Sequence, residues 1–435
     1  MFNLFKKIES KKGIALISTY MVLTILLAFS GLLFDISNWQ NKTTNTFKRQ
    51  AQGIDIAEAG LDRALVWIRA QAIPPGSSTN PWGGGVTVLG NPTIGSYSVV
   101  ITDLGSPSGS PSVKRYKVAS TSTVSGITQT LTNYLQTDNY ARYIWFTNRE
   151  NYGGTNVWFW NQDRLNGPTH TNGHFNIAGT PVFDGAVESV DDYIRYFNNG
   201  NNINSSNLSN PPYDTPDFNS TVDLGVSATN MPTQALSLRA ASTSAGGLRL
   251  KGNTTIVLNS NGTMNVTNSD KKWNNHNMPL PTNGALFVNN GALTISGTLN
   301  GKLTAGSSGD IKIPSSVIYA NDPRINPAST DTLGLISEQD VVISSGAPTN
   351  VEIDASIMAL NTSFMLENWW TGGAKGTLSV FGGIIQNERG PVGTFSGNTK
   401  VSGYSKDYDY DTRLLNSPPP FVPTTGDYIT LVWGN

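Results

Sequence analysis

Polarity is distributed very unevenly along this chain, and its least polar stretch comes near the start. From Ile14 to Phe34 no residue carries a charge, which is roughly the ~20 residues an α-helix needs to cross a hydrocarbon core of ~30 Å. Lys6, Lys7, Lys11 and Lys12 precede the stretch and Asp35 is the first charge after it. The positive-inside rule therefore places the lysines in the cytoplasm and everything beyond Asp35 outside. After a polar segment, Asn38 to Arg49, apolar residues recur at Ile54, Ala57, Leu61, Ala64, Leu65 and Ile68, offsets that belong to one helical face. Pro74-Pro75-Gly76 ends the pattern, because proline lacks the amide donor and crowds the preceding turn. The spacing predicts one helix over 14–72, about 90 Å long at ~1.5 Å per residue.

Beyond the prolines the period shortens to two. Asn80 to Gly95 reads as a glycine- and proline-rich connection, followed by strands at Tyr97 to Thr102, Arg115 to Val124 and Ile127 to Leu135. Ser125-Gly126 makes the last two a hairpin, so 73–138 is expected to be an antiparallel β head carried by the helix. Residues 139–250 form an aromatic-rich connecting region. It opens with Tyr140, Tyr143, Trp145, Phe146, Trp158, Phe159 and Trp160, and over 193–250 it is rich in Asn, Ser, Thr and Pro, with little regular structure expected. The rings are read either as the core of a second domain or as a sugar-stacking or partner surface. From 251 to 435, short apolar runs separated by Gly, Asn, Asp or Ser point to a β-solenoid. In/out pairs such as Leu335-Ile336 and Ile384-Ile385 come without the turn dipeptides of a meander. The fold class is thus mainly β with one long N-terminal helix: the helix with an antiparallel sheet, then a solenoid.

Composition narrows the function. In 435 residues there is no cysteine, which excludes a disulfide framework, a thiol enzyme and a Cys-based metal site. A net charge of −1 leaves no basic surface for nucleic acid, and nothing in the pattern calls for a cofactor. Glu338 with Asp340 and Glu352 with Asp354 are the compact carboxylate pairs that glycoside hydrolysis would need. They read as solvated turn charges, so no catalytic residue and no enzyme activity is assigned. His170 and His174 sit among Gly, Pro and Thr that oppose a shared helical face, and are read as satisfying turn backbone. Asp407, Asp409 and Asp411 alternate along a strand with Tyr408 and Tyr410. Calcium takes such oxygen ligands, but an acidic strand with its tyrosines packed inward is the preferred reading, and no metal is assigned. Pro418-Pro419-Pro420-Phe421 must be extended, leading to a closing strand at Tyr428 to Trp433.

Lys12-Gly13-Ile14-Ala15-Leu16-Ile17, together with Ala57-Glu58-Ala59-Gly60-Leu61-Asp62-Arg63-Ala64, resembles the N-terminal domain of PilX-type minor pilins of type IV pili over about the first seventy residues. The resemblance implies a 1–13 leader removed by a prepilin peptidase after Gly13, methylation of Ile14, an inner-membrane precursor and packing of 14–34 against other pilins. Such pilins usually carry glutamate at the fifth mature position, which here is Ser18. The K-type pseudopilin of type II secretion also lacks it, and the resemblance then implies a tip or initiating subunit whose large module meets a surface ligand in adhesion or aggregation. The segment Gly167 to Gly185 looks like an element of an uncharacterised domain attached to such helices. Two other readings stay open: a single-span anchored surface protein outside any pilus, and a polysaccharide-active solenoid enzyme.

Overall fold

One unbroken helix, Phe5–Arg69, carries the N-terminal hydrophobic pattern, about 100 Å of it at ~1.5 Å per residue. The computed structural model describes residues 5–71, 73–88, 94–206, 213–396 and 399–434, with backbone alone at 5–12 and 432–434. The chain forms two compact units. In the first, the C-terminal half of the helix lies on an antiparallel sheet. Its central strands are Gly95–Gly105, Arg115–Val124 and Ile127–Asn139, with Ser78–Thr79 and Val86–Val88 paired to the first of them. Ser125 and Gly126 both have positive φ, 49° and 85°, the tight turn whose twist suits a hairpin.

The buried helix face is Gly53, Ile56, Ala57, Gly60, Leu61, Ala64 and Ile68, packed with Tyr97, Val99, Ile101, Val118 and Val124. This corrects the apolar stripe: Ile54 is 43% exposed and Ile56 takes its place. The reason is close approach. A Cβ on Gly60 would stand 2.2 Å from Ser120 Oγ, and one on Gly53 would stand 2.9 Å from Gln129 Cγ. Small residues let the helix settle onto the strands, and Ser122 Oγ donates to Gly53 O at 2.6 Å. Within the stretch expected as a bare connection before Gly95, Val86–Val88 forms a strand antiparallel to Gly95–Gly105.

The second unit is built of parallel strands stacked in register, as in a β-solenoid. Three faces repeat. On the first, Leu286, Ala305, Leu335, Ile357, Ile384 and Trp145 stand one above another. On the second the inward column is Leu293, Ile311, Val341 and Phe364. On the third it is Ile353, Val380, Tyr408, Leu165 and Phe183. All belong to one continuous core.

The order of the rungs is not the order of the chain. Ala374–Glu388 pairs in parallel with Trp145–Arg149, and Thr399–Tyr410 with Arg164–Asn166. The stack then continues through Thr169–Thr171, Val187–Ser189 and Val222–Leu224. Residues 145–224 therefore extend the stack begun at 248, where a connecting region was expected. An asparagine ladder crosses the seam: Asn387 Nδ2 donates to Asn361 O, Asn148 Nδ2 to Asn387 Oδ1, and Asn172 Nδ2 to Asn148 Oδ1, all within 3.0 Å.

The first face is buried on both sides, and this accounts for its paired apolar residues. Outward-facing Phe287, Ile336, Met358, Ile385 and Phe146 are covered by Tyr140, Tyr143, Leu238 of the helix Leu236–Thr243, Leu414 and Val422. The proline run lies buried at this layer: Pro418 O accepts from Ser110 Oγ and Pro420 O from Thr304 Oγ.

Candidate functional site

Several residues singled out in the sequence are held by structural bonds. Glu338 accepts from Ala235 N at the start of the short helix and from Arg239 Nε at 2.6 Å. Asp340 accepts from Ser363 N, Glu352 pairs with Arg324 at 2.6 Å, and Asp354 accepts from Tyr319 N. Each of the four carboxylates is thus held by a protein partner, and Arg324 also reaches Asp354 at 3.4 Å. Asp411 is buried on Arg413 and caps the turn Thr412–Leu415. It is separated in role from Asp407, which is exposed, and from Asp409, which accepts from Asn166. Tyr408 packs inward. His170 meets Glu188 and Asn172 and stacks on Phe146, while His174 meets Asp191 and Tyr193. The imidazoles therefore serve side chains, correcting the expected backbone role, and the hydrogen bond from His170 holds the Glu188 carboxyl below the usual range.

The aromatic run of 140–160 divides three ways. Trp145 and Phe159 enter the solenoid core, Tyr140, Tyr143 and Phe146 join the outer layer, and Trp158 and Trp160 line a cleft of about 840 Å³. Around that cleft stand three ring pairs. Trp158 meets Phe197 edge-on at 5.3 Å, Tyr152 meets Trp369 edge-on at 6.3 Å, and Trp160 stacks on Phe395 at 6.1 Å. The hairpin Asn151–Tyr152 and Thr155–Asn156 turns at Gly153 and Gly154, both with positive φ, and delivers one wall. The hairpin Gly393–Ser396 with Thr399–Tyr410 delivers another.

A buried ionic group holds these walls. Arg389, with no exposed side-chain surface, pairs with Glu150 at 2.9 Å and donates to Val157 O and Trp158 O. Its guanidinium lies 3.6 Å over the Phe159 ring. Glu150 also accepts from Trp145 Nε1 and Thr147 Oγ1. Asp163 takes Lys406 Nζ at 2.6 Å and Trp160 N at 3.0 Å. Burial lowers the Lys406 pKa while Asp163 opposes that shift. Two acids and two bases thus balance behind the rings, a geometry in which losing one partner leaves an uncompensated buried charge. Phe197, Phe395 and Arg389 carried no local signal, being separated by up to about 200 residues in sequence, whereas the adjacent Trp369-Trp370 is visible in the sequence as a pair.

In the N-terminal helix, Ile14 to Phe34 is exposed along its length, and among the described residues this is the helix long and apolar enough to cross a membrane. Ser18 Oγ and Thr19 Oγ1 donate to Ala15 O, Thr24 Oγ1 to Met21 O and Ser30 Oγ to Leu26 O. Each Ser and Thr hydroxyl of the apolar stretch is bonded within its own helix. Gly13 and Ile14 lie on that helix, exposed.

Residues 108–191 match a domain of unknown function, DUF4900. That segment contributes Glu150, Trp158, Trp160 and Asp163 to the cleft and its support. No curated protein matches the chain. Among solved structures, the crystal structure of the competence-associated pilin ComZ from Thermus thermophilus is similar at 11% identity and a TM-score of 0.36, over 88% of this chain and 96% of that one. A superposition that loose establishes neither fold nor function.

Proposed function

We propose that this chain is a pilin-like subunit of a type IV pilus or related filament, inserted first in the inner membrane and then assembled through its N-terminal helix. The observation that carries the reading is the division of that helix. Its Ile14–Phe34 part has no cover and satisfies its own hydroxyls, so it suits lipid and afterwards the matching helices of other pilins. Its later part is seated on an antiparallel sheet through Gly53, Ala57, Gly60 and Ala64. Ser18 lacks a carboxylate for a neighbour's terminal amine, which supports a tip or initiating position. A module as large as Leu135–Thr430 supports the same position by its bulk, and its task is adhesion or aggregation, by binding rather than turnover. Prepilin peptidase would cut between Gly13 and Ile14.

The test is the mass of the mature N-terminus together with the protein content of sheared, purified filaments. A methylated Ile14 in a filament-borne chain is the expected result. Full-length chain confined to membranes would overturn the reading in favour of a plain anchor.

A further inference from the structure

We propose that the aromatic cleft is a binding site for an uncharged carbohydrate chain, seated by ring stacking. The proposal deepens the adhesive part of the reading above, although the cleft's geometry holds whether or not the chain enters a filament. The volume lies within the ~300–1,000 Å³ usual for ligand sites, which are mostly apolar with a few placed polar groups.

Charge selects the class. Among the described residues, Lys406 is the one charged residue lining the cleft, and it is committed to Asp163 at 2.6 Å. Among those residues an acidic glycan would find no free cation, and a cationic ligand no free carboxylate. Shape selects further. A pyranose ring has an apolar C–H face and a rim of hydroxyls, and it needs flat apolar walls beside groups that both donate and accept. Trp158, Trp160 and Trp369 supply the walls, and Asn156, Asn199 and Thr394 supply amides and a hydroxyl on the same lining.

A proline-rich peptide also lies on aromatic grooves, but such grooves grip peptide carbonyls with ring N–H or O–H donors. Here two of the paired rings are Phe197 and Phe395, and the indole N–H of Trp369 is buried. Three of the six rings therefore bring no ring donor to a ligand. Arg389 acts behind the cleft as a positioning residue, since its bonds to Val157 O and Trp158 O fix the segment on which Trp158 rides.

The experiment uses the full chain in a detergent without a sugar headgroup. It is presented to an array of neutral α- and β-glucans, mannans, xylans and chitooligosaccharides, with acidic glycans and proline-rich peptides alongside. Tryptophan fluorescence titration follows on any neutral glycan retained. Binding of at least one neutral class is expected, with affinity falling at least tenfold in Trp158→Ala and in Trp369→Ala. Trp273→Ala, whose ring stacks on His276 away from the cleft, should bind as the parent does and controls for folding. The proposal is overturned if no neutral glycan binds, if acidic glycans or the peptides bind instead, or if the two cleft variants fold and bind undiminished. Filament purification reports separately on the assembly reading.

Discussion

The N-terminal helix and the solenoid dispose of apolar residues in opposite ways. In the solenoid, Leu286, Ile357, Ile384 and their neighbours in the stack are buried within the chain that carries them. In the helix, Leu16, Met21, Leu26 and Phe34 are each more than half exposed, uncovered by any of the described residues. Apolar surface on that scale marks a membrane or protein interface. The solenoid thus buries its apolar columns within itself, whereas the helix is written for a solvent that the rest of the chain does not provide. The polar groups follow the same division. The helix hydroxyls turn back on their own backbone, while the solenoid's asparagines and buried ions cross-link one rung to another.

The comparison can be tested from either side, and the largest effect is expected in the solenoid. Arg389→Ala removes the guanidinium facing Glu150 and should destabilise by about 3–5 kcal/mol, the range for stranding a buried charge. Thermal denaturation checks it, and a Tm within a degree of the parent would show that the buried ions are not what ties 150–163 to the strand ending at Glu388. On the helix side, Leu23→Arg should disfavour insertion by ~2.5–3.5 kcal/mol at the membrane centre, read as the fraction resisting alkaline carbonate extraction. Undiminished retention would mean the exposed stretch is not addressed to lipid.

Gly60→Ala comes next. Its Cβ would meet Ser120 Oγ at 2.2 Å, and overpacking of this kind costs about 1–3 kcal/mol. A denaturant midpoint equal to the parent's would show that the helix is not held down on its small residues. The smallest effect depends on pH. Burial pushes Asp354 up to about 7, against the Tyr319 N–H and Arg324 that favour its charged form. The folded state then retains a proton that the unfolded state gives up near ~4, so stability present below that value is lost as pH rises through about 7. Asp354→Asn should melt above the parent at pH 8, by on the order of 2 kcal/mol, and the gap should close near pH 4. A gap independent of pH would assign the effect to packing.

Much of the architecture was legible because it rests on local periods. The uncharged run from Ile14, the two-residue turn at Ser125-Gly126 and the in/out pairs of Leu335-Ile336 and Ile384-Ile385 each state their element within a few residues. Small residues hid the helix face, since Gly53 and Gly60 pack through what they lack and no hydrophobic count finds them. The region 139–250 misled for a different reason. Its strands are only two or three residues long in places, as at Val182–Phe183, and a period cannot be read from so few positions. Their identity as rungs comes from what they stack on.

The sequence by itself determined the membrane-length helix, its antiparallel head and the parallel-stacking texture of the later chain, because each follows from spacing between near neighbours. Only the tertiary structure decided that 145–224 extends the stack begun at 248, that Arg389 bolts the segment 150–163 in place, and that six rings from distant segments share one cleft. These depend on contacts between residues up to about 240 positions apart. Such contacts leave no local pattern, because register between distant strands is chosen by how their side chains fill a common core.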